Sequence, residues 1–230
     1  MKIHGLQKMT LLDFPGRVAC TVFLGGCDMR CPFCHNAELI DGSAPPVMEE
    51  DALLSFLEKR KGLLDGVAFT GGEPLLRDDL DGLFERIQPL GYPIKLDTNG
   101  THPDRLARLT GKGLVQYVAM DVKNAPERYA ETVGVPDFDL APVRESVRLL
   151  LTGKVPYEFR TTVVAEFHDG ESIRGIGEWI RGAERYYLQK FTDRDSVPFA
   201  GLHAPSDGDL RAWVKIAEPF VREAGLRGVD

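Results

Sequence analysis

The stretch Val18-Ala19-Cys20-Thr21-Val22-Phe23-Leu24-Gly25-Gly26-Cys27-Asp28-Met29-Arg30-Cys31-Pro32-Phe33-Cys34 runs an apolar, β-branched segment straight into a loop with three cysteines. The segment up to Leu24 reads as a strand, which Gly25-Gly26 ends. Three thiols so close together, with no fourth nearby, suit an iron–sulfur cluster that leaves one iron free. A cubane held by four cysteines usually only passes electrons, whereas a metal with an open position can bind and activate a substrate. On the cysteines alone zinc remains the alternative. Zinc would want a fourth ligand, and His35, directly after Cys34, is poorly placed to share one ion with its neighbour. No second C-x2-C pair completes a zinc ribbon, and three clustered cysteines cannot pair evenly into disulfides. Cys20 lies inside the strand, roughly 13 Å below its end at about 3.3 Å per residue. That distance makes it a buried core thiol.

The chain has 230 residues, with 28 Lys and Arg against 35 Asp and Glu, for a net charge of −7. Nucleic acid needs clustered cations to neutralise phosphate, so that class of partner is excluded. An acidic surface suits a protein partner without naming one. No apolar run approaches the roughly 18 residues of a membrane helix. Met1-Lys2-Ile3-His4-Gly5-Leu6-Gln7-Lys8 lacks the apolar core of a signal peptide. No membrane and a cytoplasmic location are expected, where thiols stay reduced and available to iron.

Outward from the first strand, periodicity alternates between strand and helix. Strands are expected over Val18–Leu24, Gly66–Thr70, Pro93–Asp97, Leu114–Asp121, Tyr157–Val164 and Arg185–Phe191. Helices are expected over Glu49–Lys61, Asp78–Leu90, Pro103–Thr110, Leu140–Thr152, Glu171–Gly182 and Asp209–Ala224. Strict alternation implies a parallel sheet with right-handed crossovers. Six strands are too few to close an eight-fold barrel. The expected fold is therefore α/β, a partial open (β/α)6 TIM-type barrel with parallel strands, with a doubly wound sheet as runner-up. It reads as one domain over 1–230, with a core over about 16–191 and a C-terminal loop and helix over 192–230.

In parallel α/β folds the site forms at the C-terminal ends of the strands. Strand one is followed by the cysteine loop, strand two by Thr70-Gly71-Gly72-Glu73-Pro74, and strand three by Asp97-Thr98-Asn99-Gly100. Strand four ends in Met120-Asp121-Val122-Lys123, and strand five carries Arg160. Taken singly, each has an ordinary reading. Gly71-Gly72 can be a tight turn, Glu73 a solvated carboxylate, and Asp97-Thr98-Asn99-Gly100 a turn. Asp121 and Lys123, two apart on one strand face, can be a simple ion pair. Five consecutive strand ends delivering such groups to one rim is what makes them a site. Paired glycines also let a backbone approach a ligand closely.

With the cysteine loop, GGEP, DTNG and DVK in this order, the chain resembles the radical S-adenosylmethionine (SAM) superfamily. Within it, the chain looks like the glycyl-radical-enzyme activating proteins, nearest to the branch that activates anaerobic ribonucleoside-triphosphate reductase. Asp13-Phe14-Pro15-Gly16-Arg17, Cys34-His35-Asn36 and Tyr157-Glu158-Phe159-Arg160 support this, and the resemblance runs from Gly5 to about Phe191. It implies a [4Fe–4S] cluster on Cys27, Cys31 and Cys34, with SAM on the fourth iron. Phe33 matches the position that packs near the adenine. Gly71, Gly72 and Glu73 match the segment that receives the methionine amino group. Asp97 and Thr98 match residues near the methionine part, and with Asp121 would help hold a monovalent cation; Asn99 is counted among the SAM-binding positions. Lys123 and Arg160 match positions facing the carboxylate or ribose of SAM. The implied partners are a glycyl radical enzyme as protein substrate and a flavodoxin- or ferredoxin-like electron donor. No cysteines remain for a second cluster. Some activating enzymes carry a histidine near the end of strand six, where this chain has Leu188-Gln189-Lys190-Phe191; His203 is expected on the surface.

Two other readings compete with an activase. One is a radical SAM enzyme acting on a small molecule, as 7-carboxy-7-deazaguanine synthase does. It would need polar groups dedicated to that substrate, and none is in surplus here. The other is a zinc-stabilised binding domain without catalysis.

Overall fold

The alternation read from the sequence is present, and all six expected strands lie in one sheet. The computed structural model describes every residue except Gly42, Lys154 and Asp230. In chain order its elements are β1 (Lys2–Ile3), β2 (Gly5–Thr10), β3 (Ala19–Leu24), β4 (Met48–Glu49), α1 (Glu50–Lys59), β5 (Gly66–Gly71), α2 (Leu80–Ile87), β6 (Ile94–Thr98) and α3 (Pro103–Gly111). They continue with β7 (Tyr117–Asp121), α4 (Tyr129–Val133), α5 (Ala141–Leu151), β8 (Tyr157–Val163), α6 (Gly170–Trp179), β9 (Arg185–Lys190), α7 (Asp207–Ala217) and β10 (Glu223–Arg227). Strands β3, β5, β6, β7, β8 and β9 lie side by side in that order, all parallel.

Two edge strands were not anticipated. β2 pairs antiparallel with β3 through an irregular register between Gln7 and Thr10, and β10 pairs parallel with β9. The last helix, expected to reach Ala224, stops at Ala217, and residues 223–227 form β10 instead. Pro219 explains the stop, because it lacks the N–H that would continue the helix ladder. The sequence of β10, Glu-Ala-Gly-Leu-Arg, has no β-branched residue, so it carried little strand signal of its own.

Helix boundaries follow local chemistry. Pro103 opens α3 at its first turn, Asp169 and Ser172 form a reciprocal capping box on α6, and Ser206 caps α7. Helices and sheet bury one apolar core between them, to which Val22, Val67, Phe69, Leu96 and Val118 contribute from the strands. Leu53, Leu57, Phe84 and Leu106 reach it from the helices. Cys20 is fully buried in this core, as expected.

The register sets the inner face of the sheet apart. Asp97 pairs with Ala119, Ala119 with Glu158, and Asp121 with Arg160. Side chains two apart share a face, so Lys95, Asp97, Asp121, Glu158 and Arg160 all point inward. At the lower end of the strands Phe14 packs with Ala19 and Tyr117 in a separate small cluster, its ring 6.1 Å from that of Tyr117. The segment Asp13-Phe14-Pro15 thus plugs the bottom, and the polar cavity opens at the C-terminal rim. No helix among the described residues is long and apolar enough to cross a membrane.

Candidate active site

The cysteine loop is held from three sides. Its start is zipped to β5: the Gly72 N–H donates to Leu24 O at 2.8 Å, and the Glu73 N–H donates to Gly26 O at 2.7 Å. A Cβ at Gly72 would lie 2.0 Å from Gly26 O, and one at Gly71, where φ is +116°, 2.4 Å from Leu24 O. These glycines are therefore required by the approach of two loops to each other, a demand the sequence reading had assigned to a ligand. Behind the loop, Leu39 and Ile40 carbonyls accept the Gly26 and Cys27 N–H groups at 2.7 and 2.9 Å. On the far side, the Arg30 N–H donates to Val133 O at 2.8 Å. Gly134 sits so close that a Cβ there would be 2.3 Å from Arg30 O. The Arg30 guanidinium closes the turn on itself, donating to Cys27 O at 2.6 Å and Met29 O at 2.8 Å.

Cys27, Cys31 and Cys34 line one pocket together with Phe33, Gly71, Gly72, Asp97, Thr98, Asn99, Asp121 and Lys123, so the structure brings the expected groups to one place. Two expected residues stand just behind its wall. Glu73 is fully buried; its carboxylate accepts the Leu75 N–H at 3.0 Å, Thr98 Oγ1–H at 2.8 Å and the Asn99 N–H at 2.6 Å. Its side chain ties the end of β5 to the end of β6 and leaves the backbone to face the pocket. Burial pushes its carboxyl up to about 7, against these three hydrogen bonds. Arg160 reaches Asp121 Oδ1 through Nε at 3.0 Å and Asp97 Oδ2 through both terminal nitrogens at 3.2 Å.

The charged groups form one network. Lys123 Nζ lies 3.0 Å from Asp121 Oδ2, so the ion-pair reading of these two is correct. The buried Lys95 ammonium pairs with Asp97. Burial would raise the Asp121 carboxyl, but Lys123 and Arg160 outweigh it and hold it at about 2. Lower down, Glu158 accepts both Arg227 Nη groups at 2.7 and 2.8 Å and the Tyr117 hydroxyl at 2.8 Å. Phe33 packs on Phe167, with ring centres 5.7 Å apart. The buried His168 donates from Nε2 to Lys123 O at 2.8 Å and accepts the Val164 N–H at Nδ1, which steadies the Lys123 backbone.

The three thiols fit the donor set of an iron–sulfur cluster better than that of zinc. Among the described residues no three His, Cys, Asp or Glu side chains converge on a single ion. A cube of four irons asks for no such convergence, since each cysteine binds its own iron. His35 is engaged elsewhere: Nε2 lies 2.7 Å from Thr192 O and the ring stacks on Phe191 at 5.6 Å. Burial pushes the free thiols up, Cys27 to about 12 and Cys31 to about 11, with Lys123 opposing the rise at Cys31. A metal centre held between them would deprotonate such cysteines at neutral pH.

Several contributors were missed. Asn36 donates to Gly71 O at 3.1 Å, and His4 Nδ1 accepts the Gly25 N–H at 3.0 Å. Asp28 is held at about 2, where burial is outweighed by its polar neighbours His102, Thr101 and Asn99, of which Asn99 Nδ2 donates to Oδ1 at 2.7 Å. Asn36 lies in the quoted Cys34-His35-Asn36 segment but was given no role, and lone residues such as His4 show no spacing that sets them apart. His203 is exposed, with Nδ1 2.8 Å from Glu166 Oε1, as expected of a surface histidine.

A half-barrel of parallel strands with three free thiols at its rim, beside a polar cavity, defines an α/β protein whose site suits a thiolate-held cluster. A family model of the Radical SAM superfamily matches residues 21–180. The chain belongs to the radical SAM superfamily of enzymes, whose members use a [4Fe–4S] cluster and SAM. It is 29% identical over 237 residues to a Methanocaldococcus jannaschii protein provisionally named a glycyl-radical enzyme activating enzyme, covering 99% of this chain and 96% of that one. The 7-carboxy-7-deazaguanine synthase of Hyperthermus butylicus is 39% identical, but over 93 residues only, 39% of this chain and 38% of that one. Among solved structures, a domain of the pyruvate-formate lyase-activating enzyme of Bacteroides vulgatus superposes with a TM-score of 0.58 at 20% identity. It covers 71% of this chain and 99% of that domain, and shows the shared fold. The superfamily resemblance drawn from the motifs is met, and the likeness to the Methanocaldococcus protein along nearly the whole chain supports the activating proteins within it.

Proposed function

We propose that this chain is a radical SAM activase that generates a glycyl radical on a partner enzyme, and that the partner is an anaerobic ribonucleoside-triphosphate reductase. In this reading Cys27, Cys31 and Cys34 hold the cluster. The peptide groups of Gly71 and Gly72 receive the methionine amino group, and Glu73 fixes them from behind. Asp97, Thr98, Asp121 and Lys123 form the polar wall for the carboxylate and ribose, backed by Arg160, and Phe33 the apolar wall for the adenine. Held by Cys27, Cys31 and Cys34, a reduced cluster would supply the electron for cleaving SAM to methionine and a 5′-deoxyadenosyl radical, and that radical would take the Cα hydrogen of a partner glycine. The residues' own work is to orient SAM and exclude water. A monovalent cation at Asp97, Thr98 and Asp121 would replace one of the cationic partners those carboxylates now have. A flavodoxin- or ferredoxin-like protein is the matching electron source, since the task needs the low end of cluster potentials.

The observation that carries the activase reading is the match to the Methanocaldococcus protein along essentially the whole of both chains, while the reductase as partner rests on the motif resemblance. The small-molecule alternative rests on a likeness confined to 39% of this chain. Most polar side chains lining the pocket are taken up by the cluster and SAM in this reading; His35, Asn36, Thr70 and Thr162 also line it.

Electron paramagnetic resonance tests it. The reconstituted protein is reduced, given SAM and mixed with the anaerobic reductase of the same source. A glycyl doublet on the reductase, dependent on SAM and lost in Cys31→Ala, is the expected result. Formation of 5′-deoxyadenosine without a doublet would refute this partner and leave the radical SAM chemistry standing.

A further inference from the structure

Asn99 was expected to face SAM, yet its side chain is engaged with the cysteine loop. Its Oδ1 accepts the Thr101 backbone N–H at 3.0 Å and the Thr101 hydroxyl at 2.6 Å. A backbone N–H can only donate, so the amide atom facing it has to be the oxygen, and the orientation of the amide is settled. Nδ2 therefore faces the other way. It donates to Asp28 Oδ1 at 2.7 Å and lies 3.9 Å from Cys27 Sγ. An amide nitrogen carries two N–H groups; Asp28 takes one, and the other is directed at the sulfur.

The surroundings leave this amide little freedom. Asn99 is 7% exposed, and its own N–H is held by Glu73 Oε2 at 2.6 Å. Asp28 is steadied in turn by His102, whose Nε2 lies 3.2 Å from Asp28 Oδ2. The contact to sulfur is long, as suits the larger radius of that atom, and it comes from the sequence-adjacent pair Cys27-Asp28 being gripped by one side chain.

We propose that Asn99 is a positioning residue for electron uptake: its Nδ2–H hydrogen-bonds the Cys27 thiolate and raises the reduction potential of the cluster that thiolate holds. The proposal rests on the reading of Cys27 as a cluster ligand. Reduction adds negative charge that the sulfurs share, so an N–H donor stabilises the reduced form more than the oxidised one. Hydrogen bonds to sulfur are among the factors that set cluster potentials, and groups outside the ligands commonly act this way. In a cluster that must reach a low potential, one such bond decides how strong a donor is required.

The test compares wild type, Asn99→Leu and Thr101→Val after anaerobic reconstitution. Asn99→Leu keeps nearly the same shape and removes the N–H. Thr101→Val removes one of the two bonds that aim the amide and leaves Cys27, Asp28 and Asn99 in place. Iron and sulfide are counted first, and the midpoint potential is then read by a redox titration followed by electron paramagnetic resonance, without SAM. The expected result is full cluster content throughout, a shift to more negative potential in Asn99→Leu, and a smaller shift of the same sign in Thr101→Val. Unchanged or more positive midpoints in the loaded variants overturn the proposal. If Asn99→Leu fails to take up the cluster, Thr101→Val alone decides, a negative shift supporting and an unchanged value refuting. Wild type without iron and sulfide would overturn the ligand reading itself, and the proposal with it.

Discussion

The Glu73 carboxylate accepts the Asn99 backbone N–H at 2.6 Å and with that bond joins the end of β5 to the end of β6, directly behind the pocket. The same carboxylate takes two further hydrogen bonds, from Leu75 and Thr98. The acid at the end of the glycine pair is thus a brace between strand ends, and it is the reason two motifs separate in sequence act as one surface.

Glu73 should leave a mark on stability as pH changes. Burial raises its carboxyl from 4.5 to about 7, so the folded chain holds this proton more tightly than the unfolded chain. The contribution is fully present below about pH 4.5 and is lost as pH rises through about 7, amounting to about 3 kcal/mol over that window. Glu73→Gln cannot titrate. Urea unfolding of the cluster-free chain should show wild type losing stability relative to Glu73→Gln between pH 4.5 and 7. A difference that stays constant across that range would refute the assignment.

Two glycine-to-alanine changes should move stability in opposite directions. Gly72→Ala forces a Cβ to within 2.0 Å of Gly26 O, which is backbone and cannot step aside. Loss of more than about 3 kcal/mol, or of a folded cysteine loop, is expected. Gly82 lies inside α2 with nothing within 4 Å of its added Cβ. Gly82→Ala should stabilise by about 0.5–1 kcal/mol through helix propensity and reduced freedom of the unfolded chain. Thermal melts of the two variants check both signs.

What the sequence made legible follows from period and position. Apolar runs at regular βα spacing placed the six parallel strands, and their ends placed the rim residues. The inner charges were harder to read. Lys95-Leu96-Asp97, Asp121-Val122-Lys123 and Glu158-Phe159-Arg160 each set opposite charges two apart, a pattern that also fits a solvated face. Only the pairing of β6, β7 and β8 turns them inward, where burial obliges them to neutralise one another. β2 and β10 were missed because their pairing partners, and not their own residues, make them strands. The true demand on Gly71 and Gly72 depends on the path of the cysteine loop, which no local pattern reveals.

The cysteines should divide cleanly. Cys31 lines the pocket, whereas Cys20 is fully buried in the core and absent from it. Cys31→Ala should lose the cluster, and with it SAM cleavage. Cys20→Ala should retain full iron and sulfide and lose only about 1 kcal/mol through the small cavity it leaves. Iron analysis after anaerobic reconstitution distinguishes them; iron lost from Cys20→Ala would place that thiol among the ligands.

Arg227, on the last strand, should matter far more than an edge position suggests. Its guanidinium makes two hydrogen bonds to Glu158, which is 1% exposed, and stacks on the Tyr187 ring at 3.9 Å. Burial would raise the Glu158 carboxyl, but Arg227 outweighs it and the net shift is downward. Its ionised form thus stabilises the fold above the ordinary carboxylate range, and that stability is lost as pH falls through the lowered value. Among the described residues, Arg227→Met leaves a buried carboxylate with the Tyr117 hydroxyl as its one remaining hydrogen-bond donor, and breaking such a pair costs about 3 kcal/mol. Without Arg227 the carboxyl titrates upward, so the deficit should be largest near neutral pH and narrow toward pH 5. Adding Glu158→Gln to Arg227→Met removes the stranded charge and should recover most of the loss, which a double-mutant cycle in urea at two pH values reads directly. A single variant as stable as wild type at neutral pH, or a double variant no better than the single, would show that β10 is not held by this pair.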